Sequence, residues 1–255
     1  MRFKNLGSGS TGNATVVETS GNKPLRLLVD CGFGLKQLAN RLAHANLAPG
    51  DIDAIFITHE HGDHVGCATA LALQHGVPVW MSQGTYEAIS SPDLKGLLRI
   101  AKDSEVISLG DLKVMPFTVP HDAREPLQLT CQEGLEKLAI LTDLGHATAH
   151  VLYHLQHCNA IVLECNHDTD LLDNSSYPVF LKRRVGGAYG HLSNAAAADI
   201  AGQSSHPDLQ LVVAAHLSQQ NNRPELASSC LSQVLGSSTR IAVATPEAGC
   251  AWMNL

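Results

Sequence analysis

Three histidines and one aspartate lie within six residues of one another, directly after a short apolar segment at 54–57. The residues from 59 to 64 read His-Glu-His-Gly-Asp-His. His59 and His61 alternate in an extended loop and therefore project to the same side, whereas Asp63 and His64 lie where a helix begins. Imidazole and carboxylate groups without a thiolate favour Zn²⁺, Mn²⁺ or Fe over a structural zinc. Any fold of this chain must place the segment at a strand end, beside further ligands.

Further residues of ligand type follow apolar segments later in the chain. Each comes just after a predicted strand, and the residues are His121, Asp143 and His216. A single such residue is typical of a turn or cap. Asp143 can bridge two cations, because its two carboxylate oxygens hold separate lone pairs. With the first cluster, these residues form a candidate set for two metal ions.

Apolar segments and helical patterns alternate along the whole chain. Predicted strands lie at 25–29, 54–57, 77–81, 112–119, 127–131, 138–142, 160–163, 211–215 and 240–244. Predicted helices lie at 35–45, 64–75, 147–157, 178–185, 192–202 and 224–235. Leu35, Leu38 and Leu42, for example, recur at the spacing of one helix face. The pattern indicates a strand-rich α/β chain, with either two packed sheets or one mixed sheet.

Composition restricts the class of protein further. A chain of 255 residues, 44% hydrophobic and 16% charged, excludes disorder and suits one large domain or two small ones. No repeat or linker divides it, so we expect a single domain over residues 1–255. No stretch approaches the ~18 apolar residues of a membrane helix, so no membrane partner is expected. Seven scattered cysteines and a start without a signal peptide favour a cytoplasmic location.

The ordered set of motifs resembles the metallo-β-lactamase superfamily over essentially the whole chain. The matching residues are Asp30, the 59–64 cluster, His121, Asp143 and His216. The resemblance implies an αββα sandwich of two mixed β-sheets flanked by helices, with a dinuclear site for two divalent metal ions, Zn²⁺ or Mn²⁺. By that resemblance, the first metal is held by His59, His61 and His121, and the second by Asp63, His64 and His216. Asp143 would bridge the two metals, and Asp30 would orient a ligand.

Shorter motifs resemble the YycJ/WalJ-like subgroup of that superfamily, to which 5′-exonuclease activity on DNA is attributed. They lie at 6–13, 119–123, 164–168, 190–194 and 216–222. Ribonuclease Z and the phosphodiesterase of phosphonate metabolism have similar motifs. The likeness implies that His191 donates a proton and that Glu164 orients it, beside the catalytic ligand Asp63. Position 165 is Cys165 where the subgroup has serine, a thiol that could be sensitive to oxidation.

The expected activity is therefore metal-dependent phosphodiester hydrolysis, with DNA ends as the possible partner. A cyclic or other small-molecule phosphodiesterase, a thioester or lactone hydrolase of glyoxalase II type, and a non-enzymatic metal-dependent regulator are the alternatives. A net charge of −7 argues against a broad nucleic-acid surface. Lys182, Arg183 and Arg184 form the main basic cluster, with Arg99 and Lys102 as the other. A basic cluster at the site rim would favour DNA, and a remote one a small diester.

Two sets of residues have two interpretations each, and one further pair is a candidate. Ser8, Ser10 and Asn13 lie in a glycine-rich loop that could contact substrate phosphate through backbone N–H groups, or that could only turn the chain between two strands. His191 could instead precede a helix as part of its cap. His167 and Asp168 lie next to the proposed set and form a further candidate pair.

Overall fold

Fourteen strands form two seven-stranded sheets in the computed structural model, which describes residues 1–255. The first sheet contains β1 (Arg2–Gly7), β2 (Ala14–Glu18), β3 (Arg26–Val29), β4 (Ala54–Phe56), β5 (Val79–Met81) and β6 (Leu98–Ile100). The second contains β7 (Ile107–Leu109), β8 (Leu112–Thr118), β9 (Leu127–Glu133), β10 (Glu136–Leu141), β11 (Ala160–Glu164), β12 (Leu211–Ala215) and β13 (Arg240–Val243). A last short strand, β14 (Met253–Asn254), pairs with β1 at the edge of the first sheet.

Nine α-helices cover the outer faces of the sheets or connect their strands. They are α1 (Leu35–Ala43), α2 (Gly62–Val65), α3 (Ala68–His75), α4 (Gln83–Ala88), α5 (Ala149–Leu155), α6 (Thr169–Asp173), α7 (Val179–Val185), α8 (Asn194–Gln203) and α9 (Pro224–Val234). Pro49–Asp51 adds one 3₁₀ turn. None of the helices has the length and hydropathy that crossing a bilayer requires.

Both sheets are mixed, and both combine four parallel strands with an antiparallel part. In the first, the order is β14-β1-β2-β3-β4-β5-β6, with β3 to β6 parallel and β1 to β3 antiparallel. In the second, the order is β13-β12-β11-β10-β9-β8-β7, with β10 to β13 parallel and β7 to β10 antiparallel. The parallel strands of each sheet end in polar residues, so each sheet has one edge where such residues collect.

The side chains of each sheet alternate between two apolar layers. Leu27 and Val29 on β3 belong to a central core that both sheets share, whereas Leu28 packs with residues of α1 and α3. On β10, Ile140 points into the central core, and Leu141 packs with residues of α5 and α8. The order helix, sheet, sheet, helix confirms the predicted sandwich and excludes the single mixed sheet.

One predicted helix, at 64–75, is interrupted. The structure divides it into α2 and α3 at Gly66, whose φ is +36°. A side chain at Gly66 would place its Cβ 2.2 Å from the carbonyl oxygen of Cys31, so the chain turns there to pass close to the loop after β3. The other predicted helices and strands are present within a few residues. The elements absent from the prediction are short or terminal: β1, β2, α4, β6, β7, α6 and β14.

Candidate metal centre

Most of the predicted site residues lie at or just beyond strand ends, whereas His191 lies between α7 and α8. Asp30 follows β3, the 59–64 segment follows β4, Glu164 ends β11, and His216 follows β12. Asp30, Asp143 and His216 have φ values of 62°, 56° and 56°, in the left-handed region that few residues other than glycine adopt. The repeated backbone conformation turns the chain sharply as each strand ends. It therefore directs these three side chains toward the shared edge.

Three of the predicted ligands form one compact group. The Nδ1 atom of His61 lies 3.1 Å from Nε2 of His59 and 3.3 Å from Nε2 of His121. The sequence places these three residues in one predicted set, and the structure brings them together although His121 comes from the other sheet. Three imidazole nitrogens at this separation can bind one cation.

A second group consists of Asp63, His64 and His216. The Oδ2 atom of Asp63 lies 3.6 Å from Nε2 of His64 and 3.5 Å from Nε2 of His216. His64 is fully buried and His216 nearly so, while a quarter of the Asp63 side chain is exposed. One carboxylate and two imidazoles within reach of a common point can bind a second cation.

Asp143 lies between the two groups. One of its carboxylate oxygens, Oδ2, is 3.8 Å from Nε2 of His59 in the first group and 2.5 Å from Nε2 of His64 in the second. The residue is 1% exposed, yet neither carboxylate oxygen makes a hydrogen bond of acceptable geometry, and Nε2 of the buried His216 also lacks one. Imidazole nitrogens surround the carboxylate, with Nδ1 of His216 2.8 Å from Oδ1, but none of them makes a well-directed hydrogen bond to it, and a buried charge in that situation is costly. These atoms fit divalent cations, which the clusters as a whole imply.

The outer ring nitrogens of the histidines are held by the surrounding protein. Nδ1 of His64 lies 2.8 Å from Oδ2 of Asp30, and Nδ1 of His121 lies 3.1 Å from the carbonyl oxygen of Gly190. Asp30 also accepts a 2.9 Å hydrogen bond from the backbone N–H of Thr58. Because a carboxylate or carbonyl can only accept, each Nδ1 carries the proton and each Nε2 is free to bind a cation.

Glu164 holds two histidines at once. Its Oε1 atom lies 2.8 Å from Nδ1 of His191 and 2.9 Å from Nδ1 of His216. Its Oε2 atom accepts hydrogen bonds from the backbone N–H groups of Leu144 and Leu192, at 3.2 and 3.1 Å. With both oxygens engaged in these contacts, the buried Glu164 is placed to position the two histidines. The sequence prediction includes the contact with His191 but misses the one with His216.

The density of charged groups changes several pKa values. Burial alone would lower the pKa of His191, but the carboxylates of Glu164 and Asp143 raise it to about 10. Burial alone would raise the pKa of Glu164, but His191 and His216 lower it to about 2. Burial, together with the neighbouring histidines, lowers the pKa of His59 well below its ordinary value. A neutral His59 is the form that binds a cation, whereas, against the effect of burial, Asp143 and Asp30 raise the pKa of His64 to about 10, so that a cation there would displace a proton.

Two of the three residues predicted to contact substrate are engaged within the protein. Ser8 and Asn13 are buried, and their polar atoms are engaged within the protein. The hydroxyl of Ser8 accepts a 2.8 Å hydrogen bond from the backbone N–H of His216. The amide of Asn13 lies 3.2 Å from Oδ2 of Asp63 and 3.1 Å from Nε2 of His64. Both therefore position cation-binding residues, and only Ser10 lines the cavity over the site.

The candidate metal centre opens into a cavity of about 440 Å³. Asp63, Asp143, His191 and His216 line its floor, and residues of α7 with their neighbours line one wall. Asp122, which follows His121 in the 119–123 motif, lies at the rim, where its Oδ2 accepts a 2.7 Å hydrogen bond from Nε of Arg184. We refer to this space as the metal cavity.

A family model for the beta-lactamase superfamily domain matches residues 25–217, about three quarters of the chain, and the chain belongs to that superfamily. Among its relatives, exodeoxyribonuclease YycJ of Bacillus anthracis is 34% identical over 241 residues, covering 92% of this chain and 89% of the relative. Exodeoxyribonuclease WalJ of Streptococcus pneumoniae strain D39 is 32% identical over 232 residues, covering 89% and 85%. The predicted class, a metal-dependent hydrolase, is confirmed by these matches.

Solved structures show the same fold at much lower sequence identity. The metallo-beta-lactamase fold protein YhfI of Bacillus subtilis superposes with a TM-score of 0.76 at 16% identity, covering 99% of this chain and 98% of that protein. Human tRNase Z, short form, superposes with a TM-score of 0.66 at 17% identity, covering 100% and 99%. These likenesses confirm the architecture of the whole chain.

Proposed function

We propose that this protein is a metal-dependent phosphodiesterase that removes nucleotides from a DNA end. Two relatives that cover most of their own length are named exodeoxyribonucleases, which supports a nucleic-acid substrate. The observation on which the proposal rests is the position of α7 beside the metal centre: Arg184 lines the metal cavity, and Lys182 and Arg183 line the space next to it.

Two divalent cations, Zn²⁺ or Mn²⁺, fit the donor set. We assign His59, His61 and His121 to the first cation, and Asp63, His64 and His216 to the second. Asp143, with oxygens near both groups, would bind both cations. When bound, such ions lower the pKa of water toward about 7 and neutralise charge on a phosphate. Asp30 and Glu164 keep the imidazoles oriented, so little reorganisation is needed when a cation binds.

His191 is the candidate proton donor to the leaving oxygen. Its Nδ1 is held by Glu164 at 2.8 Å, which leaves Nε2 as the nitrogen available to the cavity that His191 lines. A quarter of the side chain is exposed, so a substrate can reach it. Departure of an alkoxide requires a proton, and a positioned imidazole supplies one at a benefit of about 10²–10⁴-fold. The contact between Glu164 and His191 therefore orients the donor toward the scissile bond.

The basic residues of α7 lie at the edge of the site. The backbone N–H of His191 donates a 2.8 Å hydrogen bond to the carbonyl oxygen of Val185, the last residue of α7. Gly190 permits this approach, because a Cβ there would lie 2.1 Å from the carbonyl oxygen of Arg184. The helix and the proton donor are thus joined directly. A basic cluster at the rim of the site, in contrast to a remote one, favours binding of a phosphate backbone.

Two exposed aromatic residues accompany the basic cluster. Phe180 on α7 is 72% exposed, and Tyr189, just before Gly190, is 62% exposed. Large exposed aromatic rings beside basic side chains are typical of surfaces on which nucleobases stack. Their position explains how a chain of net charge −7 could bind a polyanion through one local surface.

A small phosphodiester is the second candidate substrate. Arg184 is paired with Asp122 at 2.7 Å, so part of the positive charge at the rim is already neutralised. The metal cavity of about 440 Å³ is also large enough for a single nucleotide. The thioester or lactone alternative needs no basic helix, and nothing at the rim favours it.

Hydrolysis of 5′-end-labelled duplex DNA with Mn²⁺ or Zn²⁺ tests the proposal, with bis(4-nitrophenyl) phosphate assayed in parallel. We expect release of labelled mononucleotides, abolished by a chelator and by Asp63→Ala, a variant whose folding is checked by circular dichroism. Activity on the small diester alone would reject DNA and support the second candidate. No activity on either substrate, with metal bound, would reject phosphodiester hydrolysis altogether.

Two further expectations from the sequence stay proposals. We infer that residues 1–255 form one domain, since residues of both sheets share the central core. We also propose a cytoplasmic location, which the seven cysteines support because none of them is paired in a disulfide.

A further inference from the structure

A second cavity lies next to the metal cavity, and His191 lines both. It has a volume of about 520 Å³ and is lined by residues of α6 and α7 and by the start of the segment leading into α8. Its polar and basic lining residues include His167, Thr169, Lys182, Arg183 and Ser193. His191 therefore forms a shared wall between the candidate metal centre and a space to which the mechanism assigns no role. We refer to this space as the adjoining cavity.

The wall formed by His167 is rigid and has an unused polar atom. The carbonyl oxygen of His167 accepts a 2.8 Å hydrogen bond from the backbone N–H of Asn194, and His167 pairs with Ser193 as an isolated parallel bridge. The side chain is 4% exposed, and its Nδ1 has no hydrogen-bond partner. Buried nitrogens in proteins are nearly always paired, so the His167 imidazole in this wall has hydrogen-bonding capacity that the surrounding protein does not use.

The charge in the adjoining cavity favours an anion. Arg183 makes no salt bridge or side-chain hydrogen bond, and Nζ of Lys182 contacts only the backbone carbonyl oxygen of Asp173, at 2.6 Å. Asp173 is the one acidic residue of the lining, against two basic residues. The hydroxyls of Thr169 and Ser193 add further donors. Two cations, two hydroxyls and an imidazole form a donor set suited to phosphate oxygens.

We propose that the adjoining cavity binds the phosphate next to the scissile one in a polynucleotide substrate. The inference rests on the proposed function, because it takes the scissile phosphate to lie at the metal centre. The next phosphate along the strand would then pass His191 and meet Arg183, Lys182 and Thr169. A metal ion is not the favoured occupant, since His167 belongs to none of the groups that could hold one.

A phosphate site in the adjoining cavity would make binding depend on the length of the substrate. A diester with a single phosphate occupies the metal cavity only, whereas an oligonucleotide fills both cavities. Arg183 is therefore expected to contribute to oligonucleotide binding in a way that Arg99 does not. Arg99 lies on β6, lines neither cavity and carries the same charge, so Arg99→Ala is the matched control for Arg183→Ala.

The first experiment measures binding without turnover. The probe is phosphorothioate hexathymidylate carrying a 3′ fluorophore, titrated with the wild-type protein and with the variants Arg183→Ala, Thr169→Val and Arg99→Ala. We expect Arg183→Ala to raise the Kd about tenfold, as the loss of one charge-assisted phosphate contact does, and Thr169→Val to raise it less. Arg99→Ala should leave the Kd near the wild-type value. Equal effects of Arg183→Ala and Arg99→Ala would overturn the inference.

The second experiment compares substrates and identifies the source of the phosphate. The ratio of kcat/KM for hexathymidylate to that for bis(4-nitrophenyl) phosphate should fall about tenfold in Arg183→Ala and not in Arg99→Ala. An unchanged ratio in Arg183→Ala would contradict the inference. Repeating the binding with and without a 5′-phosphate on the probe distinguishes a terminal phosphate from an internal one. If the wild-type protein hydrolyses neither substrate, the proposed function fails, and the binding comparison still decides whether the cavity takes phosphate.

Discussion

The two halves of the molecule supply the candidate metal centre in different ways. The half built on the first sheet contributes four candidate ligands from the single segment 59–64. The half built on the second sheet contributes three, His121, Asp143 and His216, from the ends of three strands. The ligands of the first half are therefore recognisable from a local sequence pattern, whereas those of the second half come together only when the second sheet has formed. The centre needs both halves. The group of His59, His61 and His121 includes one residue from the second half, and so does the group of Asp63, His64 and His216.

Each half also holds its imidazoles with one buried carboxylate, and the two carboxylates differ in a useful way. Asp30 follows β3 and holds His64, with Thr58 as its other partner. Glu164 ends β11 and holds His216, with His191 as its other partner. Thr58 is fully buried, whereas His191 reaches the metal cavity. The carboxylate of the first half therefore contacts only one candidate cation ligand among the histidines, whereas that of the second half also contacts a histidine that lines the metal cavity.

The largest expected effect is that of Asp143→Asn, which removes the charge that both halves share. Without a carboxylate between the two groups, we expect loss of at least one cation and a fall in hydrolysis of bis(4-nitrophenyl) phosphate by more than about 10²-fold, since even an outer partner of a ligand contributes about 10–100-fold. Metal content by mass spectrometry and initial rates measure the two effects. A folded variant with both cations and full activity would show that the halves bind metal independently.

His191→Ala tests the link to the substrate that only the second half provides. We expect a fall of about 10²–10⁴-fold for DNA, whose leaving oxygen needs a proton. For bis(4-nitrophenyl) phosphate the fall should be much smaller, because 4-nitrophenolate leaves without protonation. Metal content should stay at the wild-type value. The comparison is made from kcat/KM on both substrates, and an equal loss on the two would remove His191 as the proton donor.

Much of the fold could be predicted from the sequence, because its strands and helices carry their own periodicity. Segments such as 25–29 and 35–45 lie in β3 and α1 nearly as predicted. The interruption at Gly66 could not be predicted, since it depends on the carbonyl oxygen of Cys31 in a distant loop. Short elements such as β6, with three residues, carry too little pattern to be recognised alone.

The candidate site, like the fold, has parts that could be predicted from the sequence and parts that could not. The 59–64 segment is recognisable because its ligands are adjacent, and the resemblance to a known superfamily supplies the remaining ligands. Ser8 and Asn13 show what residue type alone cannot give: both are polar residues in a glycine-rich loop, yet both are buried against cation-binding groups. The double contact of Glu164 depends on three segments meeting, and no local pattern encodes it.

Paired substitution of the two holding carboxylates sharpens the comparison between the halves. Asp30→Asn and Glu164→Gln keep the side-chain shape, and each should weaken metal affinity by about 10–100-fold. We expect excess Mn²⁺ to restore the activity of Asp30→Asn, because only cation binding is impaired. Glu164→Gln should stay impaired at saturating metal, since His191 loses its orienting partner as well. Activity is measured as a function of metal concentration for both variants.

The matched design separates this prediction from a general loss of stability. Both carboxylates are buried, so both variants are checked by thermal unfolding before they are compared. Restoration of both variants by metal would mean that Glu164 acts on His216 alone. Restoration of neither would mean that Asp30 does more than hold His64.

The smallest expected effect concerns the cysteine that follows each holding carboxylate, Cys31 after Asp30 and Cys165 after Glu164. Both thiols are fully buried, and burial raises the pKa of each above its ordinary value. A thiol that stays protonated is a poor nucleophile, so burial opposes the sensitivity to oxidation that the sequence predicts for Cys165. Iodoacetamide should modify neither residue in the folded protein, with activity retained within about twofold. Peptide mapping measures the modification, and the partly exposed Cys230 serves as the reactive control. Modification of Cys165 but not Cys31 would show that the strand end of the second half opens in solution and that of the first does not.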